Sequence, residues 1–180
     1  MPPEQDAACV ACLDAVLATS AAAYDPKHPV RCMDDQPLQG LKETRVPIAA
    51  TTQQGTRVDD EDERHGPASL FLCAAPLSGV RHATARTRRT KADWAIAVAH
   101  ILETRSADGA SVTLVCDHLN THIKGACSEA CAPDLARASL QRITCGSTPK
   151  HGSWLQVAAC ELRCLTSPCM RGHRIGALTA

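Results

Sequence analysis

The segment SVTLVCDHLNTH, residues 111–122, and the segment TPKHGSWLQVAACEL, residues 148–162, carry the signals that decide the fold. In the first, the apolar run Val112–Cys116 predicts a buried strand, because short β-branched and apolar runs bounded by polar residues are typical of one. Asp117 ends this strand, and open α/β folds place functional groups at the carboxyl edge of the sheet. Polar residues follow at once, so the sequence predicts a polar site that suits a metal ion or a phosphate.

The composition limits the classes of protein to be considered. With 180 residues, one domain with a sizeable core is expected. The formal net charge is zero, so any contact with nucleic acid has to come from a local patch. No apolar run is long enough to span a bilayer, and the N-terminus lacks the pattern of a signal peptide. We therefore expect no membrane association and a cytoplasmic location.

The N-terminal part predicts a helix, a connector and a strand. Glu4–Thr19 has its apolar residues at helical spacing, and a turn-rich connector with two prolines follows. We take residues 1–29 as this N-terminal segment and residues 30–180 as the main domain. Val30–Met33 predicts a short strand that ends on the acid Asp34.

The middle of the chain predicts an edge strand, an acidic loop, a hairpin and two helical segments. They are, in order, Arg45–Ile48, Asp59–Glu63, Ser69–Ala75 with Val80–Thr87, Lys91–Thr104 after a Thr90 cap, and Ala126–Leu140 with an interruption at Pro133. The buried side of the Lys91–Thr104 helix is expected to hold Trp94, Ile96, Val98, Ile101 and Leu102. The acidic run is compatible with a hard cation, but a solvated loop is the favoured interpretation.

Basic residues are concentrated in one stretch before the Lys91–Thr104 helix. Five of them fall between positions 81 and 91, namely Arg81, Arg86, Arg88, Arg89 and Lys91. Such a patch suits electrostatic contacts with phosphates, which do not depend on sequence. Ordinary surface charge is an equally good interpretation at this stage.

The cysteine content is high and the aromatic content is low. Eleven cysteines accompany only two Trp, one Tyr and one Phe. An odd count without a secretory signal argues against a disulfide framework. Cys9 with Cys12, and the pairs Cys127/Cys131 and Cys160/Cys164, suggest a zinc site only weakly, because no matched knuckle accompanies them.

The two deciding segments resemble the catalytic domain of mariner-like bacterial insertion-sequence transposases. DHLNTH and TPKHGSWL carry the resemblance, and PPEQDAACVACL, YDPKHPVRCMDDQP, RHGPASLFL, PLSGVRH, RRTKADWA and ELRCL extend it in order. It implies a DDE superfamily endonuclease of α/β class with an RNase H-like fold, a central mixed β-sheet flanked by helices. DNA cleavage and strand transfer would then use Mg²⁺ or Mn²⁺ held by three carboxylates. The family's N-terminal helix-turn-helix module has no counterpart here, so we expect the module that reads DNA sequence to be absent.

The resemblance also implies roles for individual residues. Asp34 and Asp117 match the first two catalytic acids and would bind the metal, while Asp35 matches a neighbouring acid with a supporting role. Four further positions match polar residues expected to contact DNA or water: Asn120, His122, Lys150 and His151. DNA is the implied partner in a bacterial cytoplasm, and a homodimer is left open. Thiols at positions where the family has large apolar residues, such as Cys145, predict cavities in the core.

The third catalytic acid is missing from its matched position. Counting from Trp154, the family's Asn falls on Gln156 and its catalytic Glu falls on Ala159. Glu161 matches a second family Glu, and two helical positions turn a side chain by about 200°. Glu161 therefore serves as the third catalytic acid only if the helix register turns it inward.

Three functional hypotheses follow. The first is an endonuclease of DDE type with impaired activity. The second is a non-catalytic remnant that binds DNA through the basic stretch. The third is a structural domain held by zinc on cysteine and histidine, with His151 or His173 as further ligands.

Overall fold

Strands and helices alternate along most of the chain. The computed structural model describes residues 7–117, 123–148, 156–170 and 175. Within them the elements are α1 Ala7–Ala21, β1 Val30–Glu43, β2 Asp62–Ala75, β3 Val80–Arg86, α2 Lys91–Arg105, β4 Val112–Cys116, α3 Ile123–Ala130, α4 Pro133–Arg142, β5 Ile143–Ser147 and α5 Val157–Leu165, followed by a short π-helical turn, Thr166–Met170.

The five strands form one mixed sheet in the order β3–β2–β1–β4–β5. β1 and β2, and likewise β2 and β3, are antiparallel. β4 is parallel to both β1 and β5. Helices cover both faces of this sheet, so the α/β class with a central mixed sheet flanked by helices is confirmed.

Each face of the sheet carries its own hydrophobic core, because successive side chains of a strand point to opposite faces. Met33 and Leu114 belong to the core that α2 and α3 cover, which also holds Trp94. Cys32 and Val115 belong to the core beneath α1 and α5. Burial on both faces explains why β4 is a continuous apolar run without alternation.

Several local predictions are confirmed. β2 and β3 form the expected hairpin, and its turn ends at Gly79, which has a φ of 72°. Thr90 caps α2 in a capping box, in which its hydroxyl accepts from the Asp93 N–H and the Asp93 carboxylate accepts from the Thr90 N–H. α4 begins at Pro133, where proline suits the first helical turn.

Other predictions for the first half of the chain are wrong. β1 does not end at Asp34 but continues to Glu43, because its backbone pairs with β2 through a polar stretch without an apolar pattern. Asp62 and Glu63 of the acidic run open β2, opposite the end of β1. Arg45–Ile48 forms no strand; only Ile48 makes a bridge, to Arg57.

The buried side of α2 also differs at one position. Trp94, Val98, Ile101 and Leu102 are buried as predicted, whereas Ile96 is 41% exposed. The apolar stripe follows the i, i+4, i+7 spacing from Trp94, and Ile96 lies off that stripe.

Several cysteines are packed as small apolar side chains. Burial raises the pKa of the Cys32 thiol to about 12 and that of Cys73 to about 11. Thiols in such surroundings are protonated and unreactive. Across the described part of the chain, no three His, Cys, Asp or Glu side chains are grouped closely enough to hold a metal ion.

None of the helices among the described residues combines the length and the apolar character that crossing a lipid bilayer requires.

Candidate active site

Asp34 and Asp117 lie side by side because of the register between β1 and β4. Met33 and Cys116 are the last paired residues of these parallel strands, and each acid is the next residue along its chain. Neighbouring strands are about 4.8 Å apart. By alternation from Cys32 and Val115, both acids fall on the face that α5 covers. The paired strand ends therefore bring together the two acids that the sequence singled out.

The charge on Asp34 is strongly influenced by its surroundings. Burial raises the pKa of Asp34 to about 6, and the neighbouring carboxylates of Asp35 and Asp117 add to the rise. The Asp35 N–H, which donates to Asp34 Oδ1 at 2.9 Å, and the Arg89 guanidinium oppose it. A cation placed between such carboxylates would reduce their electrostatic repulsion and favour the ionised form of Asp34.

Asp35 has a separate role on the opposite face of the sheet. Its buried carboxylate accepts hydrogen bonds from the Arg89 guanidinium, which lies just before α2. The pair links β1 to the start of α2 and compensates the buried charge of Asp35. The sequence placed Arg89 in the basic patch, and the structure places it in this ion pair.

Gln156 joins the start of α5 to both acid-bearing strands. Its Nε2 donates to the Met33 carbonyl at 2.5 Å and to the Val115 carbonyl at 3.3 Å. The side chain is fully buried, and its Oε1 has no hydrogen-bond partner in the described structure. The sequence identified Gln156 only as a departure from the Asn expected from the family resemblance. A single amide before an apolar helix gives no local sign of a contact with the sheet.

Thr148 lies at the end of β5 and contacts the same region. Its N–H donates to the Cys116 carbonyl, the residue before Asp117, at 3.0 Å. Its hydroxyl is buried, and no partner for it occurs among the described residues. Two residues with unpaired polar atoms, Gln156 and Thr148, thus bind backbone carbonyls of the residues just before the two acids or one position earlier.

Ala159 is half-buried on α5, next to Ala158, which packs in the core between this helix and the sheet. Thr166, seven residues later on the same helical face, lies within 3.4 Å of the Gln36 amide oxygen. Gln36 follows Asp34 by two residues and therefore shares its face of the sheet. Helical spacing therefore puts Ala159 on the same side of α5 as the contact between Thr166 and Gln36 of β1.

Glu161 points to the other flank of α5. Its carboxylate accepts two hydrogen bonds from Arg81 of β3, at 2.6 and 2.7 Å. These bonds from Arg81 lower the pKa of Glu161. β3 lies two strands away from β1, so both oxygens of Glu161 are engaged at the opposite side of the helix from Ala159.

The basic stretch divides between different environments. Arg81 and Arg89 are bound to acids, and Arg86 faces α2 with a buried Nε. Arg88 and Lys91 are exposed, which leaves them available to an external phosphate. The stretch is therefore not one continuous cationic surface.

Four of the predicted DNA-contacting residues lie outside the described residues: Asn120, His122, Lys150 and His151. Of the described residues that precede these segments in the sequence, Asp117 follows Cys116 directly and Thr148 bonds to the Cys116 carbonyl. The roles given to these four residues stay predictions.

No protein-family model matches the chain, and no curated protein matches it either.

Proposed function

We propose that this chain is a DNA-cleaving domain of the DDE transposase type, whose activity is impaired because Ala159 stands at the third acid position. The observation that carries the proposal is the register between β1 and β4, in which Asp34 and Asp117 each directly follow the last paired residues, Met33 and Cys116. The sequence motifs that resemble mariner-like insertion-sequence transposases supply the reaction class, which is metal-dependent phosphodiester cleavage and strand transfer.

The sheet supports an RNase H-like fold. Three antiparallel strands, β1 to β3, are followed by two parallel strands on the other side of β1. This arrangement is the one expected for that fold, in which the first and fourth strands carry the first two acids. Asp34 and Asp117 lie on those strands or directly after them.

A magnesium or manganese ion fits the two carboxylates. Mg²⁺ prefers hard oxygen ligands, and it is often bound by one or two carboxylates together with waters and substrate phosphates. Asp34 and Asp117 supply such a pair, and the raised pKa of Asp34 marks a site where negative charge lacks compensation. When bound, the metal would lower the pKa of the attacking water and stabilise the leaving oxygen.

The missing carboxylate explains why the activity is expected to be low. Ala159 offers no ligand, and Glu161 is held by Arg81 on the far flank of α5. The site therefore keeps two negative charges of an expected three. Gln156 bonds α5 to the carbonyls of Met33 and Val115, and this attachment of the helix to β1 and β4 supports the proposal.

A second candidate function is DNA binding without cleavage. It is favoured by the exposed side chains of Arg88 and Lys91 beside α2, which can contact phosphates without a metal. Lys150, His151, Asn120 and His122 would extend these contacts if the resemblance holds. A homodimer on DNA is part of the same proposal.

A plasmid-nicking assay in Mg²⁺ and Mn²⁺ tests the proposal. Ala159→Glu restores the third carboxylate, and we expect this variant to nick DNA faster than the unaltered chain. Ala159→Gln is the matched control, since it has nearly the same size and no charge. Adding Asp117→Asn to the Ala159→Glu variant should abolish the gained activity.

The other outcomes are equally informative. If the unaltered chain cuts as fast as Ala159→Glu, the assignment of the third acid is wrong. If all variants are folded and bind duplex DNA but none cuts it, the non-catalytic candidate replaces the endonuclease.

A further inference from the structure

A cavity of about 270 Å³ lies between the β2–β3 hairpin and α2. It opens on the face of the sheet opposite the two acids, because Met33 lines it and Asp34, the next residue, points the other way. The volume corresponds to the share of about nine liquid water molecules. This cavity is therefore separate from the acid site and large enough for a small organic molecule.

One wall of the cavity is polar and is formed by alternate residues of β3. His82, Thr84 and Arg86 share one face of this strand, and His100 faces them from α2. The two imidazole rings are 5.7 Å apart between centroids. His82 Nε2 and the Thr84 hydroxyl are in hydrogen-bond contact at 3.2 Å.

The rest of the cavity lining is mostly apolar. Phe71 and Met33 come from the sheet, and Ala97 and Ile101 come from α2. A mostly apolar lining with a few convergent polar groups is the usual character of a small-molecule site. The apolar residues suit the hydrocarbon part of a ligand, and the polar residues of β3 suit its polar group.

The polar wall is a donor surface with positive charge. Arg86 Nε is buried and has no hydrogen-bond partner among the described residues. The nearby Asp93 carboxylate is held by the α2 cap through Thr90, although Arg86 and Arg88 also help to lower its pKa. Burial, followed by the charge of Arg105 and the neighbouring His100, lowers the pKa of His82. No carboxylate side chain is part of the described lining.

We propose that this cavity binds a small organic carboxylate, whose anionic end accepts hydrogen bonds from the Arg86 guanidinium and the Thr84 hydroxyl while its apolar end contacts Phe71 and Ile101. Hydrogen bonds to a charged group are stronger than those between neutral groups, so the Arg86 guanidinium in the lining favours an anionic acceptor. Thr84 can donate into the cavity when His82 Nε2 donates to the Thr84 oxygen. A cation is disfavoured by Arg86 and Arg105, and a neutral ligand forms weaker hydrogen bonds with the guanidinium than an anion does.

Benzoate, benzyl alcohol and benzylammonium, which differ mainly in the charge of one end, distinguish these cases. Binding is measured on the full chain by two-dimensional NMR, with the Thr84 and Ala97 amides as local reporters. We expect benzoate to shift these signals saturably, and the alcohol and the amine to bind at least about tenfold more weakly, because charge-assisted hydrogen bonds are lost. Equal binding of acid and alcohol would overturn the anion assignment.

Two variants locate the site. Arg86→Gln removes the charge, and we expect it to weaken benzoate binding about tenfold, whereas Arg64→Gln removes one charge from the exposed start of β2 and should have no effect. Ala97→Leu fills the cavity from α2 and should abolish binding while the chain stays folded. Absence of benzoate binding to the folded unaltered chain, equal losses in Arg86→Gln and Arg64→Gln, or unchanged binding in Ala97→Leu would each overturn the proposal.

Discussion

The proton on Asp34 provides a quantitative test of the candidate site. The pKa of this carboxyl rises from 3.8 to about 6 on folding, mainly because of burial and further because of the Asp35 and Asp117 carboxylates. Below about pH 3 the group is protonated in both the folded and the unfolded chain, so it contributes nothing to the pH dependence of stability. As the pH rises from about 4 to about 6, the unfolded chain ionises first, and the folded chain loses stability. Above about pH 6 Asp34 is ionised in both states, and the folded chain keeps the full loss of stability that this charge causes.

The magnitude follows from the same values. The difference between 3.8 and about 6 corresponds to about 3 kcal/mol of unfolding free energy, at about 1.36 kcal/mol per pH unit. Asp34 is only partly buried, so solvent screening reduces this estimate to about 2 kcal/mol. Asp34→Asn removes the ionisation, and its stability relative to the unaltered chain should therefore increase by about 2 kcal/mol between pH 4 and pH 7.

Urea unfolding at a series of pH values measures this difference, with the buried Trp94 contributing to the fluorescence signal. Asp108→Asn, at an exposed position, is the matched control and should run parallel to the unaltered chain. Saturating Mn²⁺ should reduce the loss of stability at pH 7, because the cation compensates the charge of Asp34. If the difference between Asp34→Asn and the unaltered chain stays constant from pH 4 to pH 7, the electrostatic account of the site is refuted.

Two further residues have predicted effects. Glu161→Gln should leave the nicking rate of the Ala159→Glu variant unchanged, because Arg81 binds the Glu161 carboxylate. A large loss of nicking would show that Glu161 is a catalytic residue. Gln156→Ala should lower the free energy of unfolding by about 3 kcal/mol, since it removes two buried hydrogen bonds and leaves a cavity. Gln156→Met removes the amide donor without a large change in size, and thermal unfolding of the two variants side by side separates lost packing from lost donation. A loss below about 0.5 kcal/mol in Gln156→Ala would contradict the anchoring role.

Local signals in the sequence were sufficient for the elements that depend on neighbours along the chain. The β2–β3 hairpin needed only its turn and flanking apolar runs, and α2 needed only its Thr90 cap and helical spacing. β4 was recognisable as Val112–Cys116 because both of its faces are buried. The position of Asp117 directly after β4 followed from the same reasoning, whereas the strand end predicted at Asp34 was wrong.

Contacts between distant parts of the chain were not predictable in this way. β1 extends to Glu43 because β2 pairs with it, and nothing in its own residues marks this extension. The ion pairs of Arg81 and Arg89 join residues more than fifty positions apart, so the sequence showed only a row of basic residues. The contacts of Gln156 with Met33 and Val115 depend on where α5 packs, which spacing alone does not fix.

Binding of Mn²⁺, followed by electron paramagnetic resonance, tests most directly the central claim that Asp34 and Asp117 form a cation site. We expect the unaltered chain to bind one Mn²⁺ weakly, Ala159→Glu to bind it more tightly, and Asp34→Asn and Asp117→Asn each to lose it, because affinity follows the number of charged ligands. Equal Mn²⁺ binding by the unaltered chain and both aspartate variants would show that the two acids hold no metal, and would contradict the account.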